Sequence, residues 1–234
     1  MSEGQRLFVG VKVSMAVVGD LSGAVETLAR RAQQGGVRVR WVAPASYHVT
    51  LKFLGWARPD TVEAIDDALR RAVAAVPPFA FRTERLGAFP TVERATVVWA
   101  GIDDRSGSLV RLAQAIDREV AVLGFEPEKR RFHPHVTLGR LRDPADVSQV
   151  LLPLSEQVFS ETRASEVHLF ESVMKSTGSE YATVAKIGLE TASEAAKRQT
   201  ATVQRPSFDA STGSGSQAAS DVGSDDGWGE EPRG

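Results

Sequence analysis

Apolar residues recur at helical spacing in the stretch between Pro59 and Pro77. Steps of three or four residues place all of them on one face of a helix. They are Val62, Ile65, Leu69, Val73 and Val76. Asp60 stands where a side chain would cap the first turn, Glu63 would complete a capping box, and two prolines would stop the helix. The pattern therefore predicts an amphipathic helix over residues 61–76.

The rest of the chain alternates between this helical pattern and short runs rich in β-branched and aromatic residues. Helical spacing predicts helices over residues 21–34, 108–123 and 145–151. The other runs predict strands over residues 6–13, 39–44, 47–55, 79–86, 95–102, 135–141, 163–173 and 180–189. The two halves of the chain resemble each other in the order of these elements. We therefore predict an α+β, bilobal fold, a pseudo-twofold duplication of antiparallel sheets with helices packed outside and a central cleft.

The letters HVTL occur twice, each time in a predicted strand. Successive side chains of a strand point to opposite faces, so His48 shares a face with Thr50, and His135 shares a face with Thr137. The opposite, apolar faces would carry Val49, Leu51, Phe53, Val136 and Leu138. If the halves are related by a pseudo-twofold axis, the two polar pairs face one another across the cleft.

Composition is that of a soluble globular protein, with 234 residues, 42% hydrophobic and 25% charged, and a net charge of −2. Residues 191–234 are rich in Gly, Ser and Asp, and their four basic and seven acidic residues give a net charge of −3. We predict that this segment is a flexible acidic tail. Residues 1–190 are then the folded domain, and their net charge of +1 favours a small or end-on ligand over long duplex nucleic acid.

Several classes of protein are disfavoured by what the chain lacks. No apolar run approaches the roughly 20 residues of a membrane-spanning helix, and the first residues lack the apolar stretch of a signal peptide. We therefore expect a cytoplasmic protein without membrane contact, and a monomer. The sequence contains no cysteine, which excludes disulfides, thiolate zinc sites and cysteine nucleophiles.

Two opposed imidazoles suit the cleavage of a phosphodiester. Displacement at phosphorus is close to in-line, so one group removes a proton on one side while another donates a proton on the other. Histidine can do either near neutral pH because its unperturbed pKa is about 6.5. Thr50 and Thr137 would donate hydrogen bonds to the non-bridging oxygens as charge builds there. This chemistry requires no metal and no cofactor.

Two other interpretations of the motifs remain open at this point. A single His-x-Thr in a strand is usually structural, but two copies in matching contexts use two of only four histidines. A zinc site is the second alternative, and His133 lies on the same strand face as His135. Zinc ligands more often show i, i+4 spacing on a helix or include thiols, so we favour catalysis and expect no metal. His133 and His168 have no threonine two residues later and receive no catalytic role; His133 would line the rim.

The paired motifs resemble those of the 2H phosphoesterase family, in its RNA 2′,3′-cyclic phosphodiesterase (2′-5′ RNA ligase-like) branch. Supporting segments are RLFVGV, YHVTLKFLG, LGAFPTVERATVVWAGI, GFEPEKRRFHPHVTLGRL and VHLFESVMKSTGSEYATVAKIGL, which together span residues 6–189. The resemblance implies a bilobal α+β fold with both motifs lining the cleft. It also implies that His48 donates a proton to the leaving oxygen, that His135 activates water, and that Thr50, Thr137 and Arg140 hold the phosphate.

Arg140 raises a geometric difficulty because its strand parity is opposite to that of His135. A bulge or bend at Gly139 would relieve it. If the strand stays regular, Arg140 faces away, and Lys52, Arg130 or Arg131 becomes the better phosphate partner. Phe132, in the same segment, is expected to fill the core.

The function implied is metal-independent hydrolysis of RNA 2′,3′-cyclic phosphodiester ends to 2′-phosphomonoesters. The expected partners are RNA ends or small cyclic nucleotides. Two alternatives are the reverse reaction, 2′-5′ ligation of tRNA halves, and a non-catalytic module that binds nucleotides or RNA ends. Intact motifs disfavour the second alternative, because binding alone does not need an opposed acid and base.

Overall fold

The computed structural model describes residues 4–74, 76–175 and 178–191. Within them the strands are β1 (Gln5–Lys12), β2 (Arg40–Trp41), β3 (His48–Ala57), β4 (Phe79–Phe89), β5 (Ala95–Asp103), β6 (His135–Ala145), β7 (Val158–Ala164), β8 (Glu166–Lys175) and β9 (Gly178–Gly188). The α-helices are α1 (Met15–Gln34), α2 (Val62–Val73), α3 (Ser108–Ala121) and α4 (Ser148–Leu151). The predicted acidic tail, residues 191–234, lies outside the described residues except for residue 191.

The strands form one antiparallel sheet with the order β7-β4-β5-β6-β3-β1-β8-β9, and β2 also pairs with β6. The order divides into two sets of four strands, each with its histidine strand innermost. The two sets meet where Val49 of β3 pairs with Val136 of β6. The predicted duplication and α+β class are therefore confirmed, in a form where the two lobes share a single curled sheet.

The helices bury their apolar faces against the sheet and one another, which covers one side of it. α1 contacts β7 and α4, while α2 packs on α3, and α3 also contacts β3. Fully buried side chains at helical spacing make these contacts, and they include Leu21, Leu28, Ile65, Leu69, Leu112 and Ile116. The opposite face of the sheet is free to carry polar side chains.

Three local predictions needed correction. α1 begins at Met15, earlier than expected, because the hydroxyl of Ser14 accepts a hydrogen bond from the Val17 N–H. The strand predicted over 39–44 shortens to β2, since a 3-10 turn follows at Pro44–Ser46. Asp60 does not cap α2, because it lies in another 3-10 turn and binds the Arg58 guanidinium at 2.5 Å.

The prediction for Phe53 was wrong, because β3 contains bulges. Thr50 pairs with Gly10 and Lys52 with Val9, which leaves Leu51 without a partner on β1. The extra residue reverses the alternation, so Phe53 is 64% exposed and Leu54 is buried. Phe53 therefore lies on the same face as His48, with its ring 6.1 Å from that of Phe8.

Candidate active site

The His48 imidazole is held at the start of β3 by hydrogen bonds at both ring nitrogens. Nδ1 lies 2.7 Å from the carbonyl oxygen of Ser46. A carbonyl can only accept, so Nδ1 carries the proton in the neutral ring and Nε2 keeps its lone pair. Nε2 lies 3.0 Å from Oγ1 of Thr50. The predicted His-Thr pair is therefore in direct contact through the unprotonated Nε2.

His135 is held in the same way at the start of β6. Its Nδ1 donates to the carbonyl oxygen of His133 at 2.7 Å. The acceptor again lies two residues before the histidine, as Ser46 does before His48. Nε2 of His135 is thus also the nitrogen available to a ligand.

The strand register brings the two motifs together. Val49 and Val136 are paired, and continuing this antiparallel register by one residue each way sets His48 opposite Thr137 and Thr50 opposite His135. All four polar side chains project from the face that the valines do not use. The two His-Thr pairs therefore lie on the same face of neighbouring strands.

Aromatic side chains flank each histidine, and sequence patterns alone did not indicate that they belong to the site. The His48 ring lies 4.9 Å from Phe8, 5.7 Å from Phe170 and 5.1 Å from Tyr181. They come from β1, β8 and β9, the strands that follow β3 in its half of the sheet. Gly10 allows this packing, because a Cβ there would lie 2.8 Å from the Val49 carbonyl oxygen.

The aromatic neighbours of His135 occupy the corresponding strands of the other half. Its ring lies 5.1 Å from Phe89 on β4 and 6.4 Å from Trp99 on β5. His133 contacts the same two rings, at 5.5 Å and 5.2 Å. Alternation on β4 and β5 could have placed Phe89 and Trp99 on the polar face, but the pairing of those strands with β6 was needed to bring them to His135.

Burial among these rings lowers the pKa of both histidines. The pKa of His48 falls to about 4, mainly through desolvation, with the positive charges of His135 and Arg140 adding to the effect and the Ser46 carbonyl opposing it. Desolvation also lowers the pKa of His135, the His133 carbonyl opposes the shift, and the charges of His133 and Arg140 add to it. Both rings are therefore neutral near pH 7 without a ligand, and each senses the charge of Arg140.

Arg140 lies on the same face as the histidines because β6 contains a bulge next to Gly139, as the opposite strand parity of Arg140 required. Thr137 pairs with Trp99 and Gly139 with Val98, so Leu138 is the extra residue. After it, Leu141 is buried and Arg140 is exposed on the polar face. Gly139 is needed here, since a Cβ would lie 2.6 Å from Cγ1 of Val39.

The alternative phosphate ligands have different surroundings from Arg140. Lys52 is 7% exposed and donates to Oδ1 of Asp117 at 2.5 Å and to the Glu126 carbonyl at 2.6 Å. Arg130 is exposed and lies 3.7 Å from Glu128. Arg131 is also exposed, on the loop before β6, and Phe132 packs against the core as predicted.

Two general features of the described residues bear on the site. No three His, Asp or Glu side chains among residues 4–74, 76–175 and 178–191 are grouped so that they could hold a metal ion. Within the same part of the chain, no helix has the length and apolar character needed to cross a membrane.

Comparison with known proteins connects this geometry to a family. The family model of the 2′-5′ RNA ligase superfamily matches residues 21–174, which include both motifs and Arg140. The chain belongs to the 2′-5′ RNA ligase superfamily. The resemblance to 2H phosphoesterases is thereby confirmed, and the protein is a phosphoesterase.

Relatives in this superfamily cover most of the folded part. An RNA 2′,3′-cyclic phosphodiesterase from Aeropyrum pernix is 30% identical over 157 residues, 65% of this chain and 87% of the relative. One from Archaeoglobus fulgidus is 30% identical over 177 residues, 75% of this chain and 96% of the relative.

Solved structures agree in fold. TT0787 of Thermus thermophilus superposes with a TM-score of 0.64 at 25% identity, covering 80% of this chain and 98% of that protein. Escherichia coli LigT superposes with a TM-score of 0.61 at 23% identity, covering 81% of this chain and all of LigT. The curled antiparallel sheet is therefore shared across these proteins.

Proposed function

We propose that the protein hydrolyses the 2′,3′-cyclic phosphodiester at RNA ends to a 2′-phosphomonoester, without a metal. His48 acts as the general acid and His135 as the general base. One observation carries the proposal: both imidazoles are oriented identically by a backbone carbonyl, and each presents Nε2 to a region influenced by the same arginine. A structural histidine does not need this symmetry.

His48 and His135 take the roles that the resemblance to 2H phosphoesterases implies. Nε2 of His135 removes a proton from water, and the water oxygen forms a bond to phosphorus. The bond from phosphorus to the 3′ oxygen breaks, and protonated Nε2 of His48 donates its proton to that oxygen. The product carries the phosphate on the 2′ oxygen, and the two histidines have exchanged protonation states.

The surrounding residues stabilise the charge that builds on phosphorus. Thr50 and Thr137 supply hydroxyl donors beside the two histidines. Arg140 supplies a guanidinium, whose planar fork matches two phosphate oxygens. The names of the Aeropyrum and Archaeoglobus relatives support the choice of a 2′,3′-cyclic phosphodiester as substrate.

A bound phosphate would also favour the protonated form of His48, the general acid. His48 has a pKa of about 4 in the free site, so it carries no proton to donate at neutral pH. A phosphate anion beside the ring favours the charged imidazolium and raises its pKa. Substrate binding is therefore coupled to proton uptake at His48.

The experiment uses the full chain, a chelator and an oligonucleotide that ends in a 2′,3′-cyclic phosphate. We expect a 2′-phosphomonoester, identified by chromatography against 2′- and 3′-phosphate standards. His48→Ala and His135→Ala should each lower kcat by about 10²–10⁴-fold with the circular dichroism spectrum retained. His168→Asn is the histidine control outside both motifs, since His168 lies 3.0 Å from Glu166 and its ring stacks on Phe170. Full activity in either of the first two variants would refute the assignment.

Hydrolysis is favoured over 2′-5′ ligation because water is abundant at a site open to solvent. Microscopic reversibility lets the same groups catalyse both directions, so tRNA halves should be included in the assay. A non-catalytic module would bind the cyclic end and yield no product on long incubation, which would contradict the proposal.

A further inference from the structure

β2 places a second arginine beside the candidate site. β3 pairs with β6 at Val49 and Val136. β2 pairs with the same edge of β6 at Gly139 and Arg140. Arg40 pairs there with Arg140, and Trp41 pairs with Gly139. The Val42 N–H donates to the Leu138 carbonyl at 2.8 Å, so the backbone of this short strand is held in place.

Arg40 and Arg140 project from the same face of the sheet. Directly paired residues have Cβ atoms about 4.5–5.5 Å apart and point the same way. Val39 and Trp41 pack toward the core beside Gly139, so Arg40 between them faces the polar side, where it is exposed. The two guanidinium groups therefore belong to one surface.

This arrangement is unfavourable without a ligand. Like charges directly opposite each other on neighbouring strands destabilise a sheet. Among the described residues, no hydrogen bond or ion pair involves the guanidinium of Arg40 or Arg140. A single exposed arginine without an acidic partner is common, but two in register concentrate positive potential. An anion near both would convert the repulsion into charge-assisted hydrogen bonds.

Arg40 and Arg140 lie side by side on neighbouring strands. The charge of Arg140 lowers the pKa of both histidines. By register, His48 is opposite Thr137, and Arg40 is opposite Arg140, with the bulged Leu138 between these positions. Arg40 thus lies about 7–10 Å beyond His48 along the same edge. Arg140 lies at the same level but on β6, the strand of His135, so the two guanidinium groups can hold two neighbouring phosphates.

We propose that Arg40 binds the phosphate on the 5′ side of the terminal nucleotide, one ribose away from the cyclic phosphate. The proposal rests on the proposed function and adds a substrate class: ends that carry a 5′ phosphate in preference to free nucleoside cyclic phosphates. The 5′ phosphate is either a phosphodiester of a longer RNA or a terminal monoester, and both present the same anionic oxygens to the guanidinium.

Binding of product analogues tests this without requiring turnover. Calorimetry compares adenosine 2′-monophosphate with adenosine 2′,5′-bisphosphate on the wild type, Arg40→Ala and Arg30→Ala. Arg30 is exposed on α1, where it donates to Thr27 at 3.3 Å, and its replacement removes the same charge away from the cleft. We expect the bisphosphate to bind wild type about tenfold more tightly than the monophosphate, as for a charge-assisted hydrogen bond. Arg40→Ala should lose that advantage and Arg30→Ala should keep it.

A comparison of three substrates then shows whether the 5′ phosphate bound by Arg40 is a phosphodiester of RNA or a terminal monoester. A nucleoside 2′,3′-cyclic phosphate, its 5′-phosphorylated form and a dinucleotide ending in the cyclic phosphate are compared by kcat/KM. Arg40→Ala should reduce kcat/KM for the second and third at least fivefold more than for the first. A larger reduction for the dinucleotide than for the 5′-phosphorylated nucleoside identifies the phosphodiester of RNA as the preferred ligand, and an equal reduction for both identifies any 5′ phosphate.

Three results would overturn the proposal: equal affinity of wild type for both nucleotides, an advantage that persists in Arg40→Ala, or equal losses for all ligands. Equal losses for all ligands would show that Arg40 contacts the reacting phosphate or contributes to the stability of the fold. These outcomes are distinct from failure of the proposed function, which is the absence of hydrolysis by wild type.

Discussion

Val49 and Val136 face each other on neighbouring strands, one residue after His48 and His135 respectively. This pairing sets the geometry of the site, because it joins the two halves of the sheet at the point where each carries its motif. The valines fill the core side with no exposed surface. The histidines and threonines are consequently forced onto the opposite face, around one centre.

The pH dependence of the reaction follows from the lowered pKa values. In the free protein the pKa of His48 is about 4, and that of His135 lies below its usual value of 6.5. kcat/KM reports the free enzyme, so its bell-shaped profile should have its maximum below pH 6.5 and fall as the pH rises further. kcat reports the complex, where phosphate raises the pKa of His48, and its alkaline limb should lie at higher pH.

These profiles would be measured with a nucleoside 2′,3′-cyclic phosphate from pH 4 to 9. The apparent pKa values belong to the pair of histidines because the two rings influence each other. A kcat/KM maximum above pH 7.5 would contradict the lowered pKa values of His48 and His135 in the free protein.

Replacement of Gly139 tests the bulge that directs Arg140. A methyl group there would lie 2.6 Å from Cγ1 of Val39 and 3.0 Å from Cε3 of Trp41, so β2 would have to move. We expect Gly139→Ala to lower the free energy of unfolding by about 1–3 kcal/mol, as for overpacking. kcat/KM should fall as well, because Arg140 follows directly in the chain.

Gly188→Ala is the matched control, since nothing lies within 4 Å of a Cβ at that position. Urea denaturation and initial rates measured on both variants provide the comparison. Equal stability and activity in the two variants would show that the close approach of β2 is not required.

Lys52 should matter for stability, although it lies next to the first motif. Its ammonium group is buried against Asp117, with 6% and 24% of the two side chains exposed. Lys52→Met removes the cationic partner of Asp117, which then keeps only the Glu128 N–H, and we expect a loss of about 3 kcal/mol in the free energy of unfolding. Arg70→Ala, which breaks an exposed pair with Asp66 at 2.7 Å, should cost less than about 0.5 kcal/mol.

The same variant also tests whether Lys52 holds phosphate. If Lys52→Met raised KM strongly while the unfolding midpoint stayed at the wild-type value, the side chain would be acting on the substrate. We expect the opposite result, a lowered midpoint with KM within about threefold of wild type at a temperature where the variant is folded.

Local sequence patterns were sufficient for most of the fold and for the two histidine motifs. Alternation predicted that His48 and Thr50 share a face, and helical periodicity found α2 and α3. These features depend on residues close together in the chain, where side-chain direction follows directly from backbone geometry.

Features that depend on strand pairing were not predictable in this way. The bulge at Leu51, which reversed the face of Phe53, was not expected, whereas a bulge or bend was considered at Gly139 and lies one residue earlier, at Leu138. A bulge adds one residue relative to a partner strand, so its position cannot be read from one strand alone. Phe8 and Trp99 were missed for the same reason, since they reach the site from neighbouring strands.

A titration of the histidine rings by NMR tests the central claim most directly. Ring signals of His48 and His135, assigned with the His48→Asn and His135→Asn variants, would be followed against pH with and without saturating adenosine 2′-monophosphate. If one phosphate lies between the two rings, the pKa of both should rise on binding, from about 4 in the case of His48. A rise in only one ring, with the other unchanged, would show that the histidines do not share a phosphorus and would contradict the account.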